Sequence, residues 1–254
     1  MKTGFIGIGK IAGAVVQGLC TSKVSHTEIY LSPRNEENAS RLAAQFANVK
    51  KCDSNQEVLD RADIIFIALR PAVATDVLKS LSFRPDHMVV SFIPLLKYDL
   101  LCRAVTPASI VSRAIPLPSV VYHNCPIPVF KPNDHLIDLL HHIGQPLPVS
   151  DEQQLHALWT LTGLISPFFD QLHELSAWTM QHGVDATTAN QYVADLFQSL
   201  AFMAQQTRPI DFNELASHAA TPNGMNEQAA KEIRQKGAHV IYKTASDNLL
   251  KRFE

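Results

Sequence analysis

The sequence predicts an α/β protein, with a doubly wound parallel sheet over residues 1–148 and an all-α domain over residues 149–254. Three observations carry this. Short apolar runs alternate with amphipathic segments through the first half, a glycine turn sits at the first strand-to-helix junction, and the C-terminal portion shows only helical spacing.

Strands are predicted at Thr3–Ile8, Glu28–Leu31, Ile64–Leu69, Met88–Phe92 and Ile110–Ala114, where apolar residues run nearly unbroken, as in strands buried on both faces. Between them, Ile11–Cys20, Glu36–Phe46 and Val73–Leu81 have the length and spacing of crossover helices. From Leu117 to Pro148, Pro118, Pro126, Pro128, Pro132, Pro146 and Pro148 break up short β-prone pieces, Ser119–His123 and Ile127–Phe130. That composition predicts edge strands or a linker.

Beyond it, Ser150 with Gln153 has the spacing of a capping box opening a helix through Leu155, Leu158 and Trp159. Ser166–Pro167 is predicted to start a helix that Gly183 stops. Further helices are predicted over Thr187–Gln206, from Asp211 with Glu214, over Asn226–Lys236 and over His239–Phe253, with a break at Thr221–Gly224. In the first of these, Tyr192, Val193, Leu196, Phe197, Leu200 and Met203 form a wide apolar stripe that requires a partner surface.

Composition narrows the partners. At 254 residues, 46% hydrophobic and a formal charge of −2, the chain reads as globular. Lysine and arginine are scattered, which argues against nucleic acid, and no apolar stretch approaches the ~20 residues of a membrane span. Cys20, Cys52, Cys102 and Cys125 form no CxxC pair and no signal peptide is evident, so the cytoplasm is the expected compartment. His141 and His142, with His135 upstream, hint at a metal, but adjacent histidines on a helix point in different directions and neither has an acidic residue at i+3 or i+4, so no metal is expected.

Gly7-Ile8-Gly9-Lys10-Ile11-Ala12 places a GxGxxA pattern where the first strand turns into the first helix. Gly7 suits the tight turn, Gly9 lets the backbone approach a pyrophosphate, and Ala12 allows close helix–sheet packing. The helix start then offers free N–H groups and a positive dipole end to the phosphates. A Rossmann-type dinucleotide site follows. The second strand ends in Leu31-Ser32-Pro33-Arg34-Asn35, with no carboxylate for a ribose 2′-hydroxyl. Arg34 can pair with a 2′-phosphate, and Ser32 and Asn35 can donate to it, which favours NADP(H) over NAD(H).

These residues resemble the pyrroline-5-carboxylate reductase family over most of the chain. The glycine motif is followed by Gly18-Leu19 at the family's distance. Ala62 to Pro71 is similar to the family strand ending in Ala-Val-Lys-Pro, which assigns Ala68, Leu69, Arg70 and Pro71 to the cofactor, and Asn55 falls at a ribose-contacting asparagine. Val111-Ser112-Arg113-Ala114-Ile115-Pro116 resembles Val-Arg-x-Met-Pro, and Thr221-Pro222-Asn223-Gly224-Met225-Asn226 stands where the family has Ser/Thr-Pro-Gly-Gly-x-Thr.

The resemblance implies hydride transfer from NADPH to a small cyclic imine, as in proline biosynthesis, with an intertwined helical homodimer or a higher homo-oligomer. It places Thr221 and Asn226 in catalysis and Asn223, Gly224 and Met225 at the substrate. The departures cluster there. Asn226 replaces a substrate-bonding threonine, Leu117 replaces an asparagine, Pro94-Leu95 replaces Ala-Gly, and Gly163-Leu164-Ile165-Ser166-Pro167 stands for a Ser-Gly-Ser-Gly-Pro turn.

An imine needs a hydride at carbon and a proton at nitrogen, so positioning supplies much of the acceleration. The helix start near Asn223-Gly224-Met225 suits a substrate carboxylate, and Thr221 and Asn226 could orient the ring or a proton-relaying water. Two other readings stay open: a C=O reductase or dehydrogenase on the same scaffold, and a non-catalytic NADP-binding protein.

Overall fold

The computed structural model describes residues 1–23 and 27–253. The chain divides into two compact units, Met1–Trp159 together with Phe253, and Thr160–Arg252. This division falls beyond residue 148, because the helix after the proline-rich segment packs on the sheet: Leu155 and Trp159 join Ile115 and Phe130 in a small buried cluster.

In the first unit eight described strands form one sheet, in the order β3-β2-β1-β4-β5-β6-β7-β8. They are β1 (Thr3–Ile6), β2 (Ile29–Leu31), β3 (Val49–Lys51), β4 (Ile64–Ile67), β5 (Met88–Ser91), β6 (Ile110–Ala114), β7 (Pro126–Phe130) and β8 (Gln145–Val149). All neighbours are parallel except β6 and β7. The helices between them are α1 (Lys10–Thr21), α2 (Glu36–Gln45), α3 (Asn55–Arg61), α4 (Pro71–Lys79), α5 (Tyr98–Ala104) and α6 (Asp134–His141).

Period-two alternation splits the strands between two cores. Phe5, Leu31, Phe66 and Val90 face one layer with α1 and α2. Ile6, Tyr30, Ile65, Ile67 and Val89 face the other with α3, α4 and α5. Both faces are covered, which is why the sequence shows unbroken apolar runs. The order reverses between β1 and β4, which opens a crevice at the carboxyl ends of these strands.

The proline-rich segment differs from its expectation in three places. Ser119–His123 is not a strand but lies in a 3-10 helix, Pro118–Tyr122, followed by His123 with φ 55°. Pro118 suits the first turn, where its missing N–H is no loss. The helix is held to α1: Gly18 leaves room for the Val120 carbonyl, which a Cβ there would meet at 2.7 Å, and the His123 ring lies 3.0 Å from the Gly18 carbonyl and 3.2 Å from Thr21 Oγ1. Ile127–Phe130 is a strand as predicted, but α6 and β8 were not foreseen. Pro146 and Pro148 sit in β8 at the sheet's end, where missing N–H groups blunt an open edge.

The next helix, α7 (Glu152–Leu161), begins one residue out of the predicted register. Asp151 Oδ1, not Ser150, accepts the cap hydrogen bond, from Gln154 N–H at 2.8 Å, and Gln154 Oε1 answers Ser150 N–H at 3.1 Å.

The second unit contains α8 (Ile165–Gln181), α9 (Ala186–Gln206), α10 (Phe212–Ala219), α11 (Met225–Gln235) and α12 (Ala238–Leu250). Helix α8 starts before Ser166, with Pro167 inside its first turn, and Gly183 at φ 90° follows its end. Asp185 caps α9 through the N–H groups of Thr187 and Thr188, and Asp211 caps α10 through Asn213 and Glu214. Among the described residues of this unit Phe169, Trp178, Tyr192, Phe202 and Phe212 are all more than half exposed, so its helices bury little of their own apolar surface. No described helix is long and apolar enough to cross a membrane.

Candidate functional site

The predicted cofactor residues of the first unit converge at the carboxyl ends of β1 to β4. Gly7 leaves β1 with φ 92°, a conformation that favours glycine, and a Cβ there would meet the Ala68 carbonyl oxygen at 2.8 Å. Gly9 is the N-cap of α1 and no side chain caps this helix. A Cβ on Gly9 would meet nothing within 4 Å, so the backbone faces open space. The first-turn N–H groups of Lys10, Ile11 and Ala12 lie outside the helical ladder and point where an anion is favoured. Ile8 and Ala12 are buried, and Lys10 is exposed.

The loop after β2 braces this turn. Ser32 is fully buried and its Oγ accepts the Gly7 N–H at 2.9 Å. Asn35 has φ 87°, and its Nδ2 donates to the Ile8 carbonyl at 2.8 Å, joined by Asn38 Nδ2 at 3.2 Å. Ser32 and Asn35 thus shape the glycine turn, where the sequence had suggested direct donors to a 2′-phosphate. Arg34, exposed between them, is left as the loop's cation.

Asn55 opens α3 at the end of β3, where Ser54 Oγ accepts the Glu57 N–H at 3.1 Å. Ala68, Leu69 and Arg70 follow β4, and Pro71 is the first residue of α4 with Arg70 as N-cap. The Ala68 N–H donates to Ile6 O at 2.9 Å and the Ser32 N–H to Phe5 O at 3.0 Å, so both loops are tied to β1. A cleft of about 470 Å³ opens beside the turn, lined by Gly9, Lys10, Gly13, Asn38, Arg41 and Tyr122. Asn38 and Arg41 were not foreseen. Both lie on α2 three and six residues past Asn35, a helical spacing that could have flagged them.

Thr221–Asn226 lies in the second unit, between α10 and α11. Asn223 holds φ 60°, which asparagine tolerates better than most residues. Gly224 is the N-cap of α11, and a Cβ there would meet Thr221 O at 2.9 Å. Asn226 Nδ2 donates to the Ala219 carbonyl at 3.1 Å, tying α11 to the end of α10. Thr221, Met225 and Asn226 are exposed.

This helix start already carries an anion. Glu227 Oε2 accepts the Asn223 N–H at 3.0 Å and its Oε1 pairs with Lys231 at 2.9 Å. The Lys231 ammonium, then the Asn223 N–H, holds the Glu227 carboxyl below the usual carboxylate range. The expected carboxylate site is therefore reduced to the first-turn N–H groups of Met225, Asn226 and Glu227, beside the Glu227 carboxylate itself.

Comparison with known proteins fits both units. Residues 2–94 match the family model described as NADP oxidoreductase coenzyme F420-dependent, and residues 152–254 match the one described as pyrroline-5-carboxylate reductase dimerisation. The pyrroline-5-carboxylate reductase of Pseudomonas aeruginosa is 24% identical over 259 residues, covering 96% of this chain and 92% of that protein.

Residues 152–254 thus carry the dimerisation domain of pyrroline-5-carboxylate reductases, and the chain is similar to these enzymes over nearly its whole length.

Among solved structures, 1-pyrroline-5-carboxylate reductase from Streptococcus pyogenes superposes with a TM-score of 0.85 at 19% identity, covering 100% of this chain and 98% of that one. Pyrroline carboxylate reductase from Plasmodium falciparum, solved with NADP bound, gives 0.84 at 14% identity, covering 100% and 97%. These likenesses concern the fold. Against the family pattern, Asn223 keeps a left-handed turn where a glycine is usual, and Asn226 keeps a hydrogen-bonding side chain in place of a hydroxyl.

Proposed function

We propose that the chain is an NADPH-dependent oxidoreductase that reduces the C=N bond of a small cyclic imino acid or related imine. The observation that carries this is the uncapped start of α1 beneath the open face of Gly9, beside an exposed Arg34 and with no carboxylate at the end of β2. Likeness to pyrroline-5-carboxylate reductases over nearly the whole chain supports the reaction class. Its relatives include pyrroline-5-carboxylate reductases and a pyrroline carboxylate reductase solved with NADP bound.

The first-turn N–H groups of α1 hold the pyrophosphate and Arg34 pairs with the 2′-phosphate. Asn55 would take one ribose, and Ala68–Pro71 would line the other. When bound, the nicotinamide supplies a hydride from C4. Reduction of the C=N bond by that hydride would also require one proton at the imine nitrogen, which this chain's side chains or a water they hold would have to deliver. Asn226 directs its Oδ1 to the protonated nitrogen while Nδ2 holds Ala219, Thr221 orients the ring or a proton-relaying water, and the Asn223-Gly224-Met225 turn presents the Met225 N–H to the substrate's polar end, the Asn223 and Gly224 N–H groups being bonded to Glu227 and Thr221.

The C-terminal unit carries the family's dimerisation domain, and its exposed aromatic residues give a second copy an apolar surface to cover. A homodimer is the simplest assembly that meets this need.

NADPH oxidation against a panel of cyclic imines and 2-oxo acids tests the reaction. Turnover of imines is expected. Turnover of 2-oxo acids alone points to C=O chemistry, and tight NADPH binding without any turnover points to a binding protein. Asn226→Ala is expected to lower kcat/KM by about tenfold or more, the loss of one or two hydrogen bonds, with NADPH affinity unchanged. Unchanged kinetics would remove Asn226 from the site.

A further inference from the structure

Arg113 is an arginine inside a buried strand, with no exposed surface. Its guanidinium is gripped on two sides. One terminal nitrogen, NH2, donates to the carbonyls of Ile93 at 3.1 Å and Pro94 at 2.7 Å, both in the connection between β5 and α5. The other, NH1, pairs with Glu152 Oε1 and lies 2.9 Å from His156 Nε2, both on α7. The guanidinium carbon sits 5.2 Å from the Trp159 ring centre, while Nε has no hydrogen-bond partner among the described residues.

Glu152 closes the loop from the other end, since the same Oε1 accepts the Tyr98 N–H at 2.7 Å. Residues 93–98 are thus pinned at the carboxyl end of β5 by charged groups from β6 and α7. In a doubly wound sheet the two halves of a dinucleotide lie on either side of the reversal in strand order. The half formed by β1, β2 and β3 carries the glycine turn and Arg34, so β4, β5 and β6 border the nicotinamide half.

We propose that Arg113, held by Glu152 and His156, is a positioning residue that fixes the β5–α5 connection at the rim of the nicotinamide half, and that protonation of His156 loosens this grip. An imidazole 2.9 Å from a guanidinium nitrogen must accept through Nε2 and stay neutral, because its protonated form brings a second positive charge against Arg113. Among the described residues the charged groups facing it include Arg113 from β6, Glu152 on its own helix and Lys97 from the segment before α5, and the Phe253 ring stacks on it with centroids 4.6 Å apart. Burial first, then Arg113, pushes the His156 pKa below its ordinary 6.5, with Glu152 opposing. The neutral form is favoured by the fold, so the grip is complete above pH 6.5 and is lost as pH falls through the lowered value.

This inference rests on the nucleotide reading above, and two probes separate their failures. Adenosine 2′,5′-bisphosphate reaches only the adenosine half, whereas NADPH reaches both. Arg113→Lys keeps the charge but cannot reach two carbonyls and two α7 side chains at once. It is expected to weaken NADPH about tenfold, with the bisphosphate unchanged, in titrations followed by fluorescence or calorimetry. His156→Gln keeps an acceptor that does not titrate. NADPH affinity of the unsubstituted protein is expected to fall severalfold on acidification from pH 7.5 to 5.5 relative to the bisphosphate, and the His156→Gln ratio to stay flat. Should Arg113→Lys fail to fold, the His156→Gln comparison decides alone. Parallel loss of both probes in Arg113→Lys, or the same pH dependence with and without His156, overturns the clamp. A protein that binds neither probe overturns the nucleotide reading itself.

Discussion

Gly7→Ala is expected to cost about 2–4 kcal/mol of stability and to weaken NADPH binding by about a hundredfold. Two effects add. At φ 92° an alanine is strained whatever the surrounding space, and its Cβ would stand 2.8 Å from the Ala68 carbonyl oxygen, a backbone atom that cannot rotate away. Ala68 is itself hydrogen-bonded to Ile6, so relief requires moving the end of β4, which carries the ribose-side residues. Gly9→Ala provides the contrast: its Cβ meets nothing within 4 Å, so stability holds while the approach of a pyrophosphate is hindered. Thermal melts and NADPH titrations of the two variants separate turn geometry from ligand contact. Equal melting temperatures for Gly7→Ala and the unsubstituted protein would contradict this reading of the turn.

Arg34→Ala is expected to weaken NADP(H) by about ten- to a hundredfold, the value of a charge-assisted hydrogen bond or two, and to leave NAD(H) within about twofold. The structure makes this more selective than the sequence alone suggested, because Ser32 and Asn35 are engaged with Gly7 and Ile8. Ser32→Ala should therefore weaken both nucleotides together, through a distorted turn with an unsatisfied Gly7 N–H. Equal loss of NADPH and NADH affinity in Arg34→Ala would remove that residue from the 2′-phosphate.

The central sheet was legible because β1, β4 and β5 are buried on both faces and write themselves as unbroken apolar runs. Strand β3 was not, since Lys50 and Lys51 are exposed and only Val49 points into the core. Helix α6 was hidden among prolines although it has its own signals, Asn133 capping the Leu136 N–H and Leu136 and Leu140 buried four residues apart. Local chemistry also foretold the cap at Asp211, the glycine turn and the helix stop at Gly183, whereas the cap at Asp185 was not read.

What depended on distant partners was out of reach. Ser32 looked like a phosphate donor because nothing nearby in sequence predicts that its hydroxyl is spent on Gly7. Arg113 was visible as part of a family motif, but its partners Glu152 and His156 lie 39 and 43 residues away. An arginine flanked by Val111, Ala114 and Ile115 in a buried strand was the available signal: a charge in that setting needs paired groups.

The most direct measurement follows the hydride. With NADPH deuterated at the transferable C4 position and a small cyclic imine as acceptor, the amine product should carry one deuterium on the former imine carbon, in stoichiometry with NADP⁺ formed. NADPH bound tightly but unconsumed across the imine panel, or a product without deuterium, would contradict the account.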